Sequence, residues 1–274
     1  MKKVVLITGA SSGMGAAAVK LFADKGWSVY GGARRQEKIP TGPNLHAIRV
    51  DITSSVDNQA VVDQALQENH RIDVLINAAG YGEYGVVEEV AIEAVKKEFA
   101  TNLFGVMQLT QLVLPTMRAQ KVGRIVNISS GMGSSYMPTG GYYGASKAAL
   151  QYWSDTLNAE ITPFGLRSVV VQPGATQSAF IDHMVASFDR NTHAGSPYAR
   201  QLAGVMTMSK NYQAIATVED LARVFYRAAT EKRPKRRYFN SLSDRLSANF
   251  AQRFPGLWRV VIDRMTRGWQ KATD

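Results

Sequence analysis

Short apolar runs recur along the first half of the chain, each followed by a stretch with helical periodicity. This alternation limits the fold more than any other feature of the sequence. The runs are KVVLITG, SVYGGA, LHAIRVD, DVLINAAG, GRIVNISS and RSVVVQPG, with helical patterns at 16–25, 55–68, 92–120 and 143–162 between them. Strand–helix alternation predicts an α/β fold: a parallel sheet with helices on both faces. Near-continuous Val and Ile content marks strands buried on both sides. Pro163 and Gly165 close the helix that begins at Tyr143. Thr217 with Asp220 reads as a capping box, and RRYF at 236–239 as a last short strand. No repeat, linker or composition break precedes about residue 230, so residues 1–274 read as one domain.

Cysteine is absent, which excludes a disulfide framework and thiolate chemistry. No run of 18 uncharged apolar residues occurs, and MKKVVLITGA is too short for a leader or a span. A cytoplasmic protein is the expectation. The net charge is +10, but residues 232–274 hold eleven Lys/Arg against three Asp/Glu. The body is therefore near neutral and the tail is basic, a distribution that argues against a general nucleic-acid binder.

VVLITGASSGMG is a strand running into Gly9, Gly13 and Gly15 and then into a helix-forming Ala16–Ala18. Glycines there let the backbone turn tightly and a pyrophosphate approach, and the helix start offers free N–H groups. The backbone of Ser11, Ser12 and Met14 belongs to the same loop. A glycine-rich βα turn alone is weak evidence; strand, glycines and helix in that order are much stronger. The second strand is followed by Arg34 and Arg35, where a carboxylate would accept bonds from a ribose diol. A guanidinium fork suits a 2′-phosphate instead, which favours NADP(H) over NAD(H); the other reading is two solvated arginines. Asp51, after the third strand, reads equally as a contact to an adenine amino group or as a strand-end cap.

Tyr143 and Lys147 are spaced i, i+4 and share one helix face. A free phenol titrates near ~10, and a neighbouring ammonium is expected to lower it, making Tyr143 a general acid near working pH. Ser130, at the end of the preceding strand, can hold the same carbonyl oxygen in line. Y-x-x-x-K alone occurs by chance in many helices; thirteen residues after a strand-ending serine, in a chain that opens on a dinucleotide loop, it carries weight.

TGASSGMG, NAAG, NISS, YGASK and PGATQS occur in an order and at spacings that resemble the short-chain dehydrogenase/reductase family, in its compact single-domain branch. The resemblance covers residues 1–180 closely and the rest loosely. It implies a Rossmann-type, doubly wound sheet of seven strands in order 3-2-1-4-5-6-7. It implies that Ser130, Tyr143 and Lys147 form the catalytic set, with Tyr143 and Lys147 also against the nicotinamide ribose. It implies that Asn102 supports a proton-relay water at a bend in its helix; a satisfied buried amide is the other reading of that residue. Asp51, Ile52, Asn77, Ala78, Ala79 and Gly80 would lie beside the adenosine, and Pro173, Gly174, Thr176 and Ser178 on the nicotinamide side. Ala78 departs from the usual second asparagine and Ser178 from the usual threonine. No metal is called for. Helices 92–120 and 143–162 form subunit contacts in relatives, implying a homodimer or homotetramer.

The segment 178–215 reads as a substrate lid. Tyr81, Tyr84, Met132, Tyr136, Met137, Phe180, Met184, Phe188, Met206 and Met208 suit an apolar carbonyl compound, although any one of them could simply pack the core. Glu83 or Arg190 could read a polar group. Length and tail resemble the retinol and 17β-hydroxysteroid dehydrogenase-like members, implying a steroid-, retinoid- or lipid-like substrate. On a helix, Leu257, Trp258, Val261, Ile262, Met265 and Trp269 fall opposite Arg259, Asp263, Arg267 and Lys271. Such a helix either docks on the body or a second subunit, the reading that amphipathicity alone favours, or lies on an anionic membrane. The expected activity is reversible carbonyl reduction; the alternative is a cofactor-sensing or scaffold protein on the same fold.

Overall fold

A computed structural model describes residues 2–174, 176, 180–193, 195–210 and 216–271. The strands are β1 (Val4–Thr8), β2 (Ser28–Ala33), β3 (Leu45–Arg49), β4 (Val74–Asn77), β5 (Gly123–Ile128), β6 (Leu166–Val171) and β7 (Arg237–Tyr238). They form one seven-stranded sheet in the order β3-β2-β1-β4-β5-β6-β7, every pairing parallel. The expected Rossmann-type α/β architecture is therefore present, with β7 shorter than the RRYF run suggested.

The period of two along β1 explains the layering. Val5 and Ile7 point into the cluster that holds Phe22, Leu221 and Phe225, while Val4 and Leu6 point into the one that holds Tyr30, Val61, Leu109 and Leu157. Helices α1 (Gly13–Asp24) and α8 (Val218–Thr230) cover the first face; α2 (Ser55–Asn69), α4 (Gly105–Gln120) and α5 (Gly141–Ile161) cover the second. Phe22 is wholly buried and packs on Trp27 and Tyr226 with centroids 5.2 and 5.0 Å away. Its truncation to alanine would cost about 3–5 kcal/mol. The capping box of α8 is formed as read, Thr217 accepting from the Asp220 amide at 3.2 Å while the Asp220 carboxylate accepts from the Thr217 amide at 2.9 Å.

The helical pattern at 92–120 is not one helix. α3 (Ile92–Phe99) leads into a π turn at Ala100–Phe104 and then into α4. The widened turn lies at Asn102, whose buried amide bonds outside the helix, and next to Gly105, where a Cβ would stand 2.4 Å from the Ile52 carbonyl oxygen. A side chain inserted into the ladder and a backbone crossing both push a helix into this geometry.

After β6 the chain builds α6 (Phe180–Asn191), α7 (Ala199–Lys210), α8, β7, α9 (Leu242–Arg253) and α10 (Pro255–Lys271). At Gly204 on α7 a Cβ would stand 2.3 Å from the Trp269 ring, so α10 packs on α7 at van der Waals distance.

Candidate active site

The carboxyl ends of β1, β4, β5 and β6 meet around one crevice, the usual ligand position of an open α/β sheet. At its β1 side, Gly9 has φ +69° and a Cβ there would lie 2.8 Å from the Ala78 carbonyl oxygen; a Cβ on Gly15 would lie 2.2 Å from the Gly9 oxygen. Both positions demand glycine because backbone occupies the space. The Thr8 hydroxyl accepts from the amides of Ala78 and Ala79 at 3.1 Å, tying the two loops together. Ser12 takes the N-cap position of α1 without a side-chain cap, and the first turn carries no acid. Its amides are left to an external acceptor, and the helix dipole favours an anion. These residues fit a dinucleotide pyrophosphate.

Arg34 and Arg35 follow β2 and are exposed. Arg34 makes no hydrogen bond or close ion pair among the described residues, and its charge is felt at Asp51 and Tyr81. Asp51 stands two residues beyond β3, and its Oδ1 accepts from the Thr53 amide at 3.0 Å and hydroxyl at 2.7 Å. These bonds fix the carboxylate at the end of the strand, its Oδ1 turned to Thr53. Burial raises its pKa, but the Thr53 bonds and the charges of Arg34 and Arg49 outweigh that and hold it low. Ile52 is buried, and its carbonyl oxygen accepts from Asn58 at 2.8 Å. Asn77 bonds Thr110 at 3.2 Å and Asn127 at 2.9 Å beneath the crevice. A Cβ on Gly80 would lie 3.1 Å from Lys147 Nζ, which places that loop beside α5.

Ser130, Tyr143 and Lys147 converge. Tyr143 and Lys147 are 6% and 5% exposed. The Ser130 hydroxyl lies near the Tyr143 phenol and favours its ionised form, and its Oγ accepts from the Met132 amide at 3.2 Å. Lys147 Nζ donates to the Ile128 carbonyl oxygen at 3.0 Å and stands 5.9 Å from the Tyr143 ring centroid. The expected acidification of Tyr143 is not found. Burial pushes the phenol above its ordinary value, the neighbouring Ser130 hydroxyl opposes this, and the Glu98 charge adds to the rise. The reason is geometric: the ammonium is aimed at a backbone carbonyl, and burial brings its own pKa down to about 8. The phenol is therefore held protonated, as a donor must be.

Asn102 is fully engaged: Oδ1 accepts from the Tyr81 amide at 3.1 Å, and Nδ2 donates to the Tyr81 carbonyl at 2.8 Å and the Ser146 hydroxyl at 3.0 Å. The bend expected of its helix is present as the π turn. Its amide holds the loop after β4, which supports the buried-amide reading of that residue. Pro173 accepts from the Gly131 amide at 3.1 Å, and the Gly174 amide donates to Asn240 at 2.8 Å. The Thr176 hydroxyl donates to the Gly174 carbonyl at 3.1 Å. Ser178 lies outside the described residues.

Periodicity and family pattern miss four polar partners of this site. Gln151 donates to the Ser129 hydroxyl at 3.0 Å and to the Ser130 carbonyl at 3.2 Å, and Ser129 donates to the Lys147 carbonyl at 3.0 Å, so the two halves of the site are cross-braced. Asn240 steadies the Gly174 loop from the C-terminal segment. Glu98, wholly buried one turn before Asn102, is pushed up to about 8 by burial, against the lowering effects of the Glu83 backbone and Lys147. Its Oε1 accepts weakly from Asn102 at 3.4 Å, and its Oε2 has no hydrogen-bond partner among the described residues. A Glu three positions after a valine, in KKEFATN, carries no sequence signal beyond its charge on an otherwise apolar face.

Above Tyr143 the packing is apolar. Tyr84 and Phe180 both lie 5.4 Å from its ring centroid, and Phe188, Leu202 and Val205 are buried behind them with Met132, Met184, Met206 and Trp269 packed around. Glu83 and Arg190 do not line it as polar readers. They pair with each other, Arg190 Nη2 forking the carboxylate at 3.1 and 3.2 Å, and Asn191 donates to Glu83 at 2.7 Å and to the Tyr84 carbonyl at 2.9 Å. Opposite charges 107 residues apart in sequence have joined, and the result latches α6 to the loop after β4. Among the described residues no group of three metal-ligating side chains occurs.

A dinucleotide crevice with a buried Ser–Tyr–Lys set is the arrangement of a nicotinamide-dependent oxidoreductase. The short chain dehydrogenase family pattern matches residues 3–187, and the chain belongs to that family, the short-chain dehydrogenases/reductases. It is 39% identical over 184 residues, 66% of each chain, to a 3-ketodihydrosphingosine reductase of Bacteroides thetaiotaomicron. It is 29% identical over 254 residues, 86% of this chain and 87% of the relative, to an NADPH-dependent 3-dehydrocapnine reductase of Ornithobacterium rhinotracheale. The solved short-chain dehydrogenase from Streptomyces avermitilis superposes with a TM-score of 0.82 at 26% identity, covering 98% of this chain and 99% of that one.

Proposed function

We propose that the protein is an NADP(H)-dependent reductase of a ketone or aldehyde carried on a long apolar molecule. The observation that carries this reading is the position of Tyr143: a buried, protonated phenol near Ser130 with Lys147 buried beside it, under a cluster of aromatic and methionine side chains. The bound coenzyme would supply hydride to the carbonyl carbon. Tyr143 gives its hydroxyl proton to the carbonyl oxygen, and Ser130 hydrogen-bonds that oxygen and holds it in line. Lys147, poised to titrate near 8, binds ribose hydroxyls through Nζ and supplies positive charge as the phenolate forms. Gly9 to Gly15 would hold the pyrophosphate; Arg34, with no carboxylate in its place, favours a 2′-phosphate, in line with the NADPH named for the Ornithobacterium relative. The two relatives' names both describe reductases of keto groups, which supports reduction as the working direction.

Residues 180–210 act as a lid over this site. Exposed Phe104 and Tyr152, on the helices that contact a second subunit in relatives, support a homodimer or homotetramer; the solution mass by light scattering tests this. The deciding experiment for the function is a panel of long-chain, steroid-like and small ketones with NADPH and NADH. Turnover of the long apolar ketones with NADPH is expected. Tight NADPH binding with no turnover on any member would favour the cofactor-sensing alternative.

A further inference from the structure

A surface helix ordinarily carries one apolar stripe, and it is buried. The last two helices carry two. In α9 the buried positions are Ala248 and Ala251, yet Leu242, Leu246 and Phe250, spaced by four on the other side, face solvent at 67%, 59% and 37% exposure. In α10 Ile262 is buried with Trp258, Met265 and Trp269 beside it, yet Leu257 and Val261, roughly a quarter-turn round the helix, are exposed. This departs from the single apolar side expected for α10, where Leu257 and Val261 belonged with the docking residues. The docking stripe is satisfied by α7, so the outer stripe is unpartnered. It is continuous across the two helices: Phe250 and Phe254 pack ring to ring at 5.6 Å, and Phe254 leads by one turn to Leu257.

Five exposed arginines, Arg245, Arg253, Arg259, Arg264 and Arg267, lie among and beside these residues. By helical position Arg253 falls between Leu242 and Leu246, and Arg264 between Leu257 and Val260. The nearby acids are spoken for: Asp263 faces Arg259 at 3.8 Å, and the Asp244 carboxylate accepts from Ser241, the N-cap of α9. We propose that this face is a docking surface for an anionic lipid bilayer, with α9 and α10 lying in the headgroup layer. Charge decides the occupant. A two-fold contact with a second copy would set the same arginine-rich patch against itself, because isologous interfaces pair like with like. An anionic headgroup layer neutralises the arginines while the apolar residues enter the acyl boundary. No helix among the described residues is long and apolar enough to cross a membrane, so the contact is peripheral. The inner side of the same helix lends Trp269 to the apolar cluster over Tyr143. A lipid-borne ketone would thus reach Tyr143 from the docked side; this delivery step rests on the apolar-substrate reading above, whereas the docking does not.

The test is sedimentation of the full chain with phosphatidylcholine vesicles, with and without a one-third share of phosphatidylglycerol, at low and high salt. Binding to the anionic vesicles at least about tenfold tighter than to neutral ones, weakening with salt, is expected. Leu246→Glu with Leu257→Glu, and separately Arg253→Gln with Arg264→Gln, should each lower it at least about tenfold while NADPH binding and the melting profile persist. Equal binding to both vesicles, or anionic binding unmoved in both folded variants, overturns the proposal. So does a dimer by light scattering that the Leu246→Glu/Leu257→Glu chain loses while vesicles capture neither form. Sedimentation needs no turnover, so an inactive but membrane-bound protein would fault the enzymatic reading and leave this one standing.

Discussion

The crevice at the ends of the strands and the cover formed by α6, α7 and α10 are built by different means. The crevice is backbone architecture: parallel strands, a glycine turn whose Cβ positions are filled by carbonyls, and loops tied by Thr8, Asn77 and Gln151. The cover is side-chain architecture: rings on rings, Trp269 on Gly204, and one ionic latch from Glu83 to Arg190 and Asn191. Backbone hydrogen bonding fixes geometry to tenths of an ångström, which hydride and proton transfer need. Side-chain packing tolerates substitution of similar volume, which lets substrate choice vary. The family pattern itself ends at residue 187, inside the first helix of the cover.

Substitutions on the two sides should separate accordingly. The largest effect belongs to the crevice floor: Tyr143→Phe lowers kcat roughly 10²–10⁴-fold, with NADPH affinity by fluorescence titration unchanged. Loss of cofactor binding in a folded Tyr143→Phe chain would remove the division between chemistry and binding drawn at this residue. Next, Arg34→Leu should cut the preference of kcat/KM for NADPH over NADH by roughly 10–100-fold, the worth of a charge-assisted bond pair. An unchanged ratio would mean that the arginine is merely solvated. In the cover, Asn191→Ala removes two buried bonds at a cost of about 1–3 kcal/mol; it should raise KM and speed tryptic cleavage in 180–210, with kcat little changed. A fall in kcat alone would show that the latch shapes the crevice after all.

The smallest effect is a pH slope. Glu98 has a native pKa raised to about 8 from 4.5, so the folded state holds a proton that the unfolded state has released. Its contribution is complete below about 4.5 and is lost as pH rises through about 8. Lys147, lowered to about 8 from 10.5, acts in the opposite sense above 8, where deprotonation in the folded state comes first. Melting temperature should therefore decline from pH 5 to 8 and level or recover above it. Glu98→Gln should flatten the acid limb by a few degrees, at roughly 2–4 °C per kcal/mol for a chain of this size. An unaltered limb would place the titration elsewhere.

Legibility in the sequence follows the same division. The runs KVVLITG and GRIVNISS give their strands because two-sided burial leaves a continuous apolar signature. Gly9, Gly15, Ser130, Tyr143 and Lys147 are readable because the backbone or the chemistry admits few other residues there. The π turn is hidden, since a helix widened at Asn102 keeps the composition of an ordinary one. Glu98 is hidden because a lone carboxylate on a helix is usually solvated, and only the tertiary fold closes α5 over it. Glu83 and Arg190 mislead: 107 residues apart, each looks like a free polar group until the fold pairs them. The phenol's pKa misleads for a related reason, since i, i+4 spacing fixes which face two side chains share but not where an ammonium points. The outer stripe of α9 and α10 is half legible. Its period is in the sequence, but which of two apolar sides is covered depends on α7.

Trp269 sits against Gly204 and packs on the apolar cluster over Tyr143. A variant shortened to stop at 268 would therefore strip a ring from the cluster over Tyr143. Purification strategy becomes an experimental variable here: an amino-terminal fusion leaves that ring in place but sits next to β1, and kinetic constants measured on differently trimmed preparations are not interchangeable.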